Sequence, residues 1–247
     1  MLVYFILRGG MQMVPYLTKI FAGKPQTMGD KDAKNPMERE WRSAIYKEPV
    51  HERVWLSRLN INGDGQADLK HHGGLEKAVF AYPSEHYDRW KNELPAAGLT
   101  VGGMGENFSL VNQTEQEVAI GDTYHIGEAV IQVSQPRQPC WKPARRHQVK
   151  QLAWLIQNSG RTGWYFRVLE EGFIEAEQPL TLVERPYPEW TIARCNQVMH
   201  EEKENLEAAR ELAACEMLAA NWRVTLRNRV EKGENPDIRR RIFGPNE

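Results

Sequence analysis

The run Gly121-Asp122-Thr123-Tyr124-His125-Ile126-Gly127-Glu128-Ala129, continued by Val130-Ile131-Gln132-Val133, reads as a β-hairpin turning at Gly127-Glu128. Working outward from it, short apolar or alternating runs recur between Gly, Pro, Asn and Asp: Tyr16 to Phe21, Arg53 to Leu59, Ala78 to Tyr82, Val118 to Ile120, Ala129 to Val133 and Leu180 to Val183. Strands spaced this closely close into a barrel or a sandwich, so the chain is read as mainly β from about Val14 to Glu184. Two helices interrupt the strands: Ser84 to Leu94, with Ser84 as N-cap after Pro83, and Gln148 to Asn158, stopped by Gly160.

Glu184-Arg185-Pro186-Tyr187-Pro188-Glu189 carries two prolines in three residues and reads as a linker. Beyond it the strand alternation stops. Leu206, Ala209, Ala213 and Met217 share one helical stripe, and Trp222, Leu226 and Val230 follow at steps of four, so residues 185–247 are expected to form a linker and a small module of about three helices. At the other end, residues 1–13 read as an extension outside the fold. Its apolar start, Met1 to Leu7, has no basic residue before it and is too short for a membrane span.

The chain has 247 residues, 41% of them hydrophobic, and 32 basic against 33 acidic side chains. A net charge of -1 gives no global field to recruit nucleic acid or an anionic membrane, so any electrostatic function must be local. The three cysteines, Cys140, Cys195 and Cys215, form no CxxC pair and suit a reducing compartment; the protein is expected to be cytoplasmic. No GxxxxGK[ST], GxSxG or HExxH pattern occurs, and the glycine-rich Gly102 to Phe108 lacks the strand-GxGxxG-helix context of a dinucleotide fold.

Asn60-Ile61-Asn62-Gly63-Asp64-Gly65 imitates the start of a calcium loop, but Asn60 stands first and His71 twelfth, where the site needs carboxylates; a tight polar turn is the better reading. That turn leads into Lys70-His71-His72-Gly73-Gly74, where cationic donors sit beside bare backbone, a combination suited to phosphate. As strand residues the two histidines would face opposite ways, which makes them a weak metal signal. The strongest chemical signal is Gln135-Pro136-Arg137-Gln138-Pro139-Cys140-Trp141-Lys142-Pro143: three prolines stiffen a loop that presents one thiol, and Arg137 and Lys142 favour its thiolate. Cys195 and Cys215 fall in apolar helical stripes, where packing accounts for them. Residues 221–247 carry seven basic against four acidic side chains, including Arg239-Arg240-Arg241; they read either as a docking surface or as a solvated face.

Taken together, Gly63-Asp64-Gly65-Gln66-Ala67-Asp68, Lys70-His71-His72-Gly73-Gly74, Tyr82-Pro83, Gly105-Glu106-Asn107, Gly121-Asp122 and Gln135-Pro136-Arg137-Gln138-Pro139-Cys140 resemble the MOSC domain, closest to its YiiM-type branch, over residues 14–184. The following helical segment resembles the three-helix module of that branch. The resemblance implies a MOSC-type β-barrel with a few helices, a bound molybdenum cofactor (molybdenum-molybdopterin), and reduction of N-hydroxylated compounds such as 6-N-hydroxylaminopurine, detoxifying base analogues. It implies Cys140 as the molybdenum ligand and assigns Lys70, His71, His72, Asn107 and Arg137 to the pterin or its phosphate, with His71 or His72 as proton donor. With no flavin, nicotinamide or iron-sulfur motif in view, electrons are expected from a separate reductase. Two other readings stay open: a sulfur carrier using a Cys140 persulfide, and a non-catalytic binding protein.

Overall fold

The computed structural model describes residues 4–7 and 10–247. Nine strands form its main sheet: β1 (Tyr16–Ala22), β2 (Glu48–Val50), β3 (Val79–Pro83), β4 (Phe108–Val111), β5 (Thr123–Ile126), β6 (Ala129–Pro136), β7 (Trp164–Glu170), β8 (Gln178–Pro179) and β9 (Thr181–Glu184). They are ordered β8-β1-β4-β3-β7-β6-β5-β9, with β2 beside β1. Only β3 and β4 pair in parallel, and the mixed sheet curls into a half-barrel.

The expected hairpin is β5-β6. Ile126 pairs with Ala129 across Gly127-Glu128, and Gly127 has φ +55°, a conformation that glycine adopts without strain. A Cβ at Gly127 would also stand 2.5 Å from the Phe173 carbonyl oxygen. Strand β6 continues for eight residues, all buried, because it lies inside the sheet between β5 and β7 and is covered on both faces.

Alternation along the strands divides the interior into two layers. Val79, Ala81, Trp164 and Phe166 point into the main core with Phe108, Tyr124 and Ile131, whereas Phe80, Tyr82 and Tyr165 point the other way into a smaller cluster with Trp90, Met104 and Ile156. Helices α2 (Glu85–Glu93), α3 (Lys142–His147) and α4 (Leu152–Asn158) cover this second face; before them comes a single helical turn, α1 (Leu69–His72).

The C-terminal part comprises α5 (Ile192–Asn196), which runs into a π-helical turn at Gln197–Glu201, then α6 (Leu206–Ala214), α7 (Ala220–Lys232) and α8 (Arg239–Ile242). Its buried side chains, among them Ile192, Leu212, Trp222 and Leu226, belong to the same apolar cluster as the strands. Backbone ties reinforce the joint: Ala219 N–H donates to Ser134 O, and Arg167 Nη2 donates to Met217 O. The proline-rich linker is likewise pinned, since the Arg185 guanidinium donates to both oxygens of the buried Asp122 carboxylate at 2.8 and 2.7 Å.

Several local expectations shift. Val118–Ile120 forms no full strand but a single antiparallel bridge, Ala119 to Thr191; its backbone bonds run to the end of the linker and the start of α5, with Ile120 N–H donating to Trp190 O and Ile192 N–H to Val118 O. The helix expected from Gln148 is split, because Gln148 at φ +53° caps α3 through its N–H, and α4 starts only at Leu152. Ser84 does precede α2, but its side chain makes no cap and exchanges a hydrogen bond with the Ser109 hydroxyl. Strands Tyr4–Leu7 and Gly10–Met13 pair with each other in a separate two-stranded sheet, while Met1 to Val3, Arg8 and Gly9 of the expected extension lie outside the described residues. Among the described residues no helix is long and apolar enough to cross a membrane.

Candidate active site

Strand β6 ends at Pro136, and the next four residues carry the chain to Cys140. Arg137 N–H donates to Gly163 O, which fixes the exit from the strand. The far side of the loop is tied to the C-terminal tail: Trp141 N–H donates to Arg241 O, Arg241 Nη1 donates to Pro139 O at 2.5 Å, and Arg241 Nη2 donates to Gln157 Oε1 at 2.6 Å. Proline stiffness alone therefore does not set the thiol's position; an arginine about a hundred residues downstream in the chain grips the loop from behind.

Cys140 is half-buried on the wall of a cleft of about 610 Å³, including its mouth. Burial alone would raise its pKa. The charge of His72 and its hydrogen bond to the thiol, then Arg137 and the Lys142 N–H, outweigh that and bring the pKa down to about 6. At neutral pH the group is mostly thiolate. This environment arises because α1 is a helical turn, capped by Asp68, whose side chain accepts from His71 N–H. In a turn of helix, neighbouring side chains diverge by about 100° and not by a strand's 180°. His71 accordingly turns outward to Asp68, 2.8 Å from Oδ2, whereas His72 meets the thiol.

Of the residues singled out in the sequence, the structure brings Cys140, His72, Asn107 and Arg137 into this cleft. Lys70 and His71 are exposed and stand outside its lining. Asn107 is already heavily engaged: its amide donates to Asp64 Oδ2 and Phe21 O, and its oxygen accepts from Phe80 N–H. Arg137 lies across the Phe80 ring, its guanidinium carbon 4.9 Å from the ring centre, with Nη1 buried and unpartnered.

Sequence reasoning did not assign Lys47, Lys77, Asp64, Phe80 or Tyr165, all of which line the cleft. Lys47 is ion-paired to Asp64, which also accepts from Gly23 N–H; burial nevertheless pulls the lysine's pKa down. Lys77 donates to His71 O at 2.6 Å, which ties α1 to the sheet, and burial lowers its pKa too. Phe80 and Tyr165 form the apolar wall, and burial raises the Tyr165 phenol to about 12. Only Asp64, inside the Gly63-Asp64-Gly65 turn, carried a local signal. Lys77 lies five positions beyond His72 with nothing in its neighbours to mark it.

The donor set suits a large anionic group that carries its own metal. Among the described residues no cluster of three or more His, Cys, Asp or Glu side chains could hold a bare metal ion, so a metal at Cys140 must bring its remaining ligands with it. His72, Lys77, Arg137 and Lys142 face the cleft against one carboxylate, Asp64, which is already engaged by Lys47. The buried, unpartnered Arg137 Nη1 is a donor waiting for an acceptor.

A MOSC domain model matches residues 68–181, and a YiiM-like, 3-alpha helix domain model matches residues 190–233. The uncharacterized protein YflK of Bacillus subtilis is 39% identical over 210 residues, which cover 85% of this chain and 92% of YflK. A Gibberella moniliformis protein named Reductase is 35% identical over 196 residues, 78% of this chain but 34% of that one. The crystal structure of YiiM from Geobacillus stearothermophilus superposes with a TM-score of 0.73 at 38% identity, covering 87% of this chain and 99% of that one. The chain belongs to the MOSC family, in the branch that joins a MOSC domain to a YiiM-like three-helix domain.

Proposed function

We propose that this protein is a molybdenum-cofactor-dependent reductase of N-hydroxylated compounds, acting on 6-N-hydroxylaminopurine and related bases and thereby detoxifying base analogues. The observation that carries this reading is the Cys140 thiolate, held at a pKa of about 6 in a cationic cleft. A thiolate is the protein ligand that a soft metal takes, and one is enough when a dithiolene supplies the rest. When bound, the molybdenum cofactor supplies two-electron removal of oxygen from R-NHOH, leaving R-NH2 and, with two protons, water.

The chain's own residues have distinct parts in this scheme. Cys140 Sγ ligates the metal. Arg137 Nη1, Lys77 Nζ and Lys142 Nζ hold the pterin and its phosphate, taking the place expected of Lys70 and His71. An imidazole nitrogen of His72, beside the thiol, hands a proton to the departing oxygen or nitrogen. Phe80 and Tyr165 exclude water from one side, and the Lys47-Asp64-Asn107 network keeps the floor rigid. Electrons come from a separate reductase; in the fungal relative named Reductase, about two thirds of the chain lies beyond the part similar to this one. The setting is cytoplasmic, with a small-molecule substrate and neither nucleic acid nor membrane as partner.

The test is elemental and functional. Protein from a host that makes the cofactor should contain near-stoichiometric molybdenum and release a fluorescent pterin on oxidation. It should reduce 6-N-hydroxylaminopurine when a reductase is supplied and not with NADPH alone. Activity on NADPH alone would remove the separate donor. The low thiol pKa also favours a second reading, a sulfur carrier: protein lacking metal and pterin yet acquiring a persulfide on Cys140 from a cysteine desulfurase would replace the first.

A further inference from the structure

Behind the cysteine loop, between it and the C-terminal helices, lies a second cavity of about 670 Å³ including its mouth. Gln138 reaches it from the loop, His200 and Lys203 from the π-helical turn and the residues after it, Arg229 from α7, and Asp237 and Arg241 from the tail. Among the described residues neither guanidinium here hydrogen-bonds or ion-pairs with a carboxylate. Arg229 donates to Val198 O at 2.6 Å, to Met199 O at 2.7 Å and to Asn235 Oδ1 at 2.7 Å, so it caps the π-helical turn through neutral acceptors, and the carboxylate whose field reaches it, Glu204, lies outside the cavity lining. Arg241 spends its donors on Pro139 O and Gln157 Oε1, also neutral acceptors.

Lys203 is half-buried and, among the described residues, has neither an ion pair nor a hydrogen bond. His200 Nε2 is buried without a partner. Burial first, and then Arg241, Lys203 and Arg229, drive the His200 pKa down to about 3, so the ring is neutral and able to offer an N–H. Asp237 is the one carboxylate among the lining residues; it is exposed, and its Oδ1 already accepts from Arg239 N–H. The cavity thus combines three cations, one engaged carboxylate, and polar groups with no protein partner.

We propose that this cavity is an oxyanion-binding site, distinct from the Cys140 cleft, which takes a phosphate-class group between Lys203 and His200, with Gln138 beside it and the fields of Arg229 and Arg241 behind. The group could arrive as free phosphate or on a small phosphate monoester, and the same chemistry recognises both. Because Arg241 also grips Pro139, an occupant bears directly on the loop that carries Cys140.

Calorimetric titration of the full-length, cofactor-loaded protein at low ionic strength tests this, with inorganic phosphate in one series and a nucleoside monophosphate in the other. The expected result is one site whose affinity falls at least tenfold in Lys203→Met and in His200→Phe and is unchanged in Lys91→Met, which removes an exposed lysine outside both cavities. Tighter binding of the monophosphate would identify a phosphorylated small molecule as ligand; equal binding would identify the free ion. No binding of either probe, equal affinity in Lys203→Met and wild type, or an equal loss in Lys91→Met would overturn the proposal. Lys203→Met retains molybdenum at the wild-type level, which separates a failure of this site from a failure of the cofactor assignment.

Discussion

Cys140 and Cys195 are both withdrawn from solvent in the same molecule, yet their thiols respond in opposite directions. Burial pushes both upward. At Cys195 the next influence is another thiol, Cys215, and the pKa ends well above its ordinary value; at Cys140 His72, Arg137 and the Lys142 N–H reverse the effect and leave it at about 6. Cys195 sits fully buried in an apolar cluster with Ile192, Trp190 and Leu212, whereas Cys140 stands among cations in the loop after β6. Burial decides how strongly a thiol feels its neighbours, and the neighbours decide the sign.

The largest test of this contrast removes the reactive partner. Cys140→Ala should fold, because a half-buried loop thiol adds little to the core, and should lose more than nine tenths of its molybdenum and its activity together. A folded variant that kept its metal would end the ligand assignment.

Next in size is the removal of the imidazole that contributes most to that reversal. In cofactor-free protein, His72→Phe should move the midpoint of Cys140 alkylation from about 6 to 7 or above. The midpoint is the right observable. A return to the ordinary pKa of about 8.5 cuts the thiolate fraction at pH 7 roughly thirtyfold, but the remaining thiolate is about tenfold more nucleophilic, so the rate at pH 7 changes only about threefold. An unmoved midpoint would assign the low pKa to Arg137 and the backbone. The same thiol also enters stability. Its folded pKa lies below its unfolded value, so between about pH 6 and about pH 8.5 the unfolded chain binds more protons and stability rises with pH. The melting temperature of cofactor-free protein should climb across that window and should climb less in Cys140→Ala.

The parts of this arrangement that could be read in advance are local. The β5-β6 hairpin declared itself through Gly127, and the cysteine loop through three prolines in eight residues, because turn and proline chemistry act over a few positions. Lys47 and Lys77 could not be read that way, since their place in the cleft depends on how segments pack: Lys47 meets Asp64 seventeen residues on, and Lys77 crosses back to His71 from the 3-10 turn before β3. The two histidines part for a related reason. They lie on one helical turn capped by Asp68, where neighbouring side chains diverge by a helical angle, and of the two His72 reaches the thiol. Val118–Ile120 has the composition of a strand but finds its partners at Trp190 and Ile192, where the linker runs into α5, a choice that tertiary packing makes.

A smaller effect comes from the grip behind the loop. Arg241→Met deletes donors to Pro139 O and Gln157 Oε1 and should cost about 2 kcal/mol in chemical denaturation. A positioning role predicts more than lost stability: amide exchange at Cys140 and Trp141 should accelerate more than at Leu226, because Trp141 N–H is bonded to the tail that Arg241 anchors. Uniform acceleration across these sites would reduce Arg241 to a general structural contact.

The smallest expected effect tests the other half of the contrast. Cys195 makes one weak contact of its own, its Sγ 3.7 Å from Trp190 O, and otherwise fills space beside Cys215, Leu212 and Trp222. Cys195→Ala removes one sulfur atom from a packed site and should cost about 1 kcal/mol, with molybdenum content, activity and the Cys140 midpoint unchanged. Its high pKa keeps it a thiol at neutral pH, so alkylation of native protein with a small haloacetamide should label Cys140 and leave Cys195 unmodified until the chain unfolds. Labelling of Cys195 at a rate comparable with Cys140 in folded protein would mean that the helices open from the sheet far more readily than one shared core permits, and the division between a reactive and a structural cysteine would fall with it.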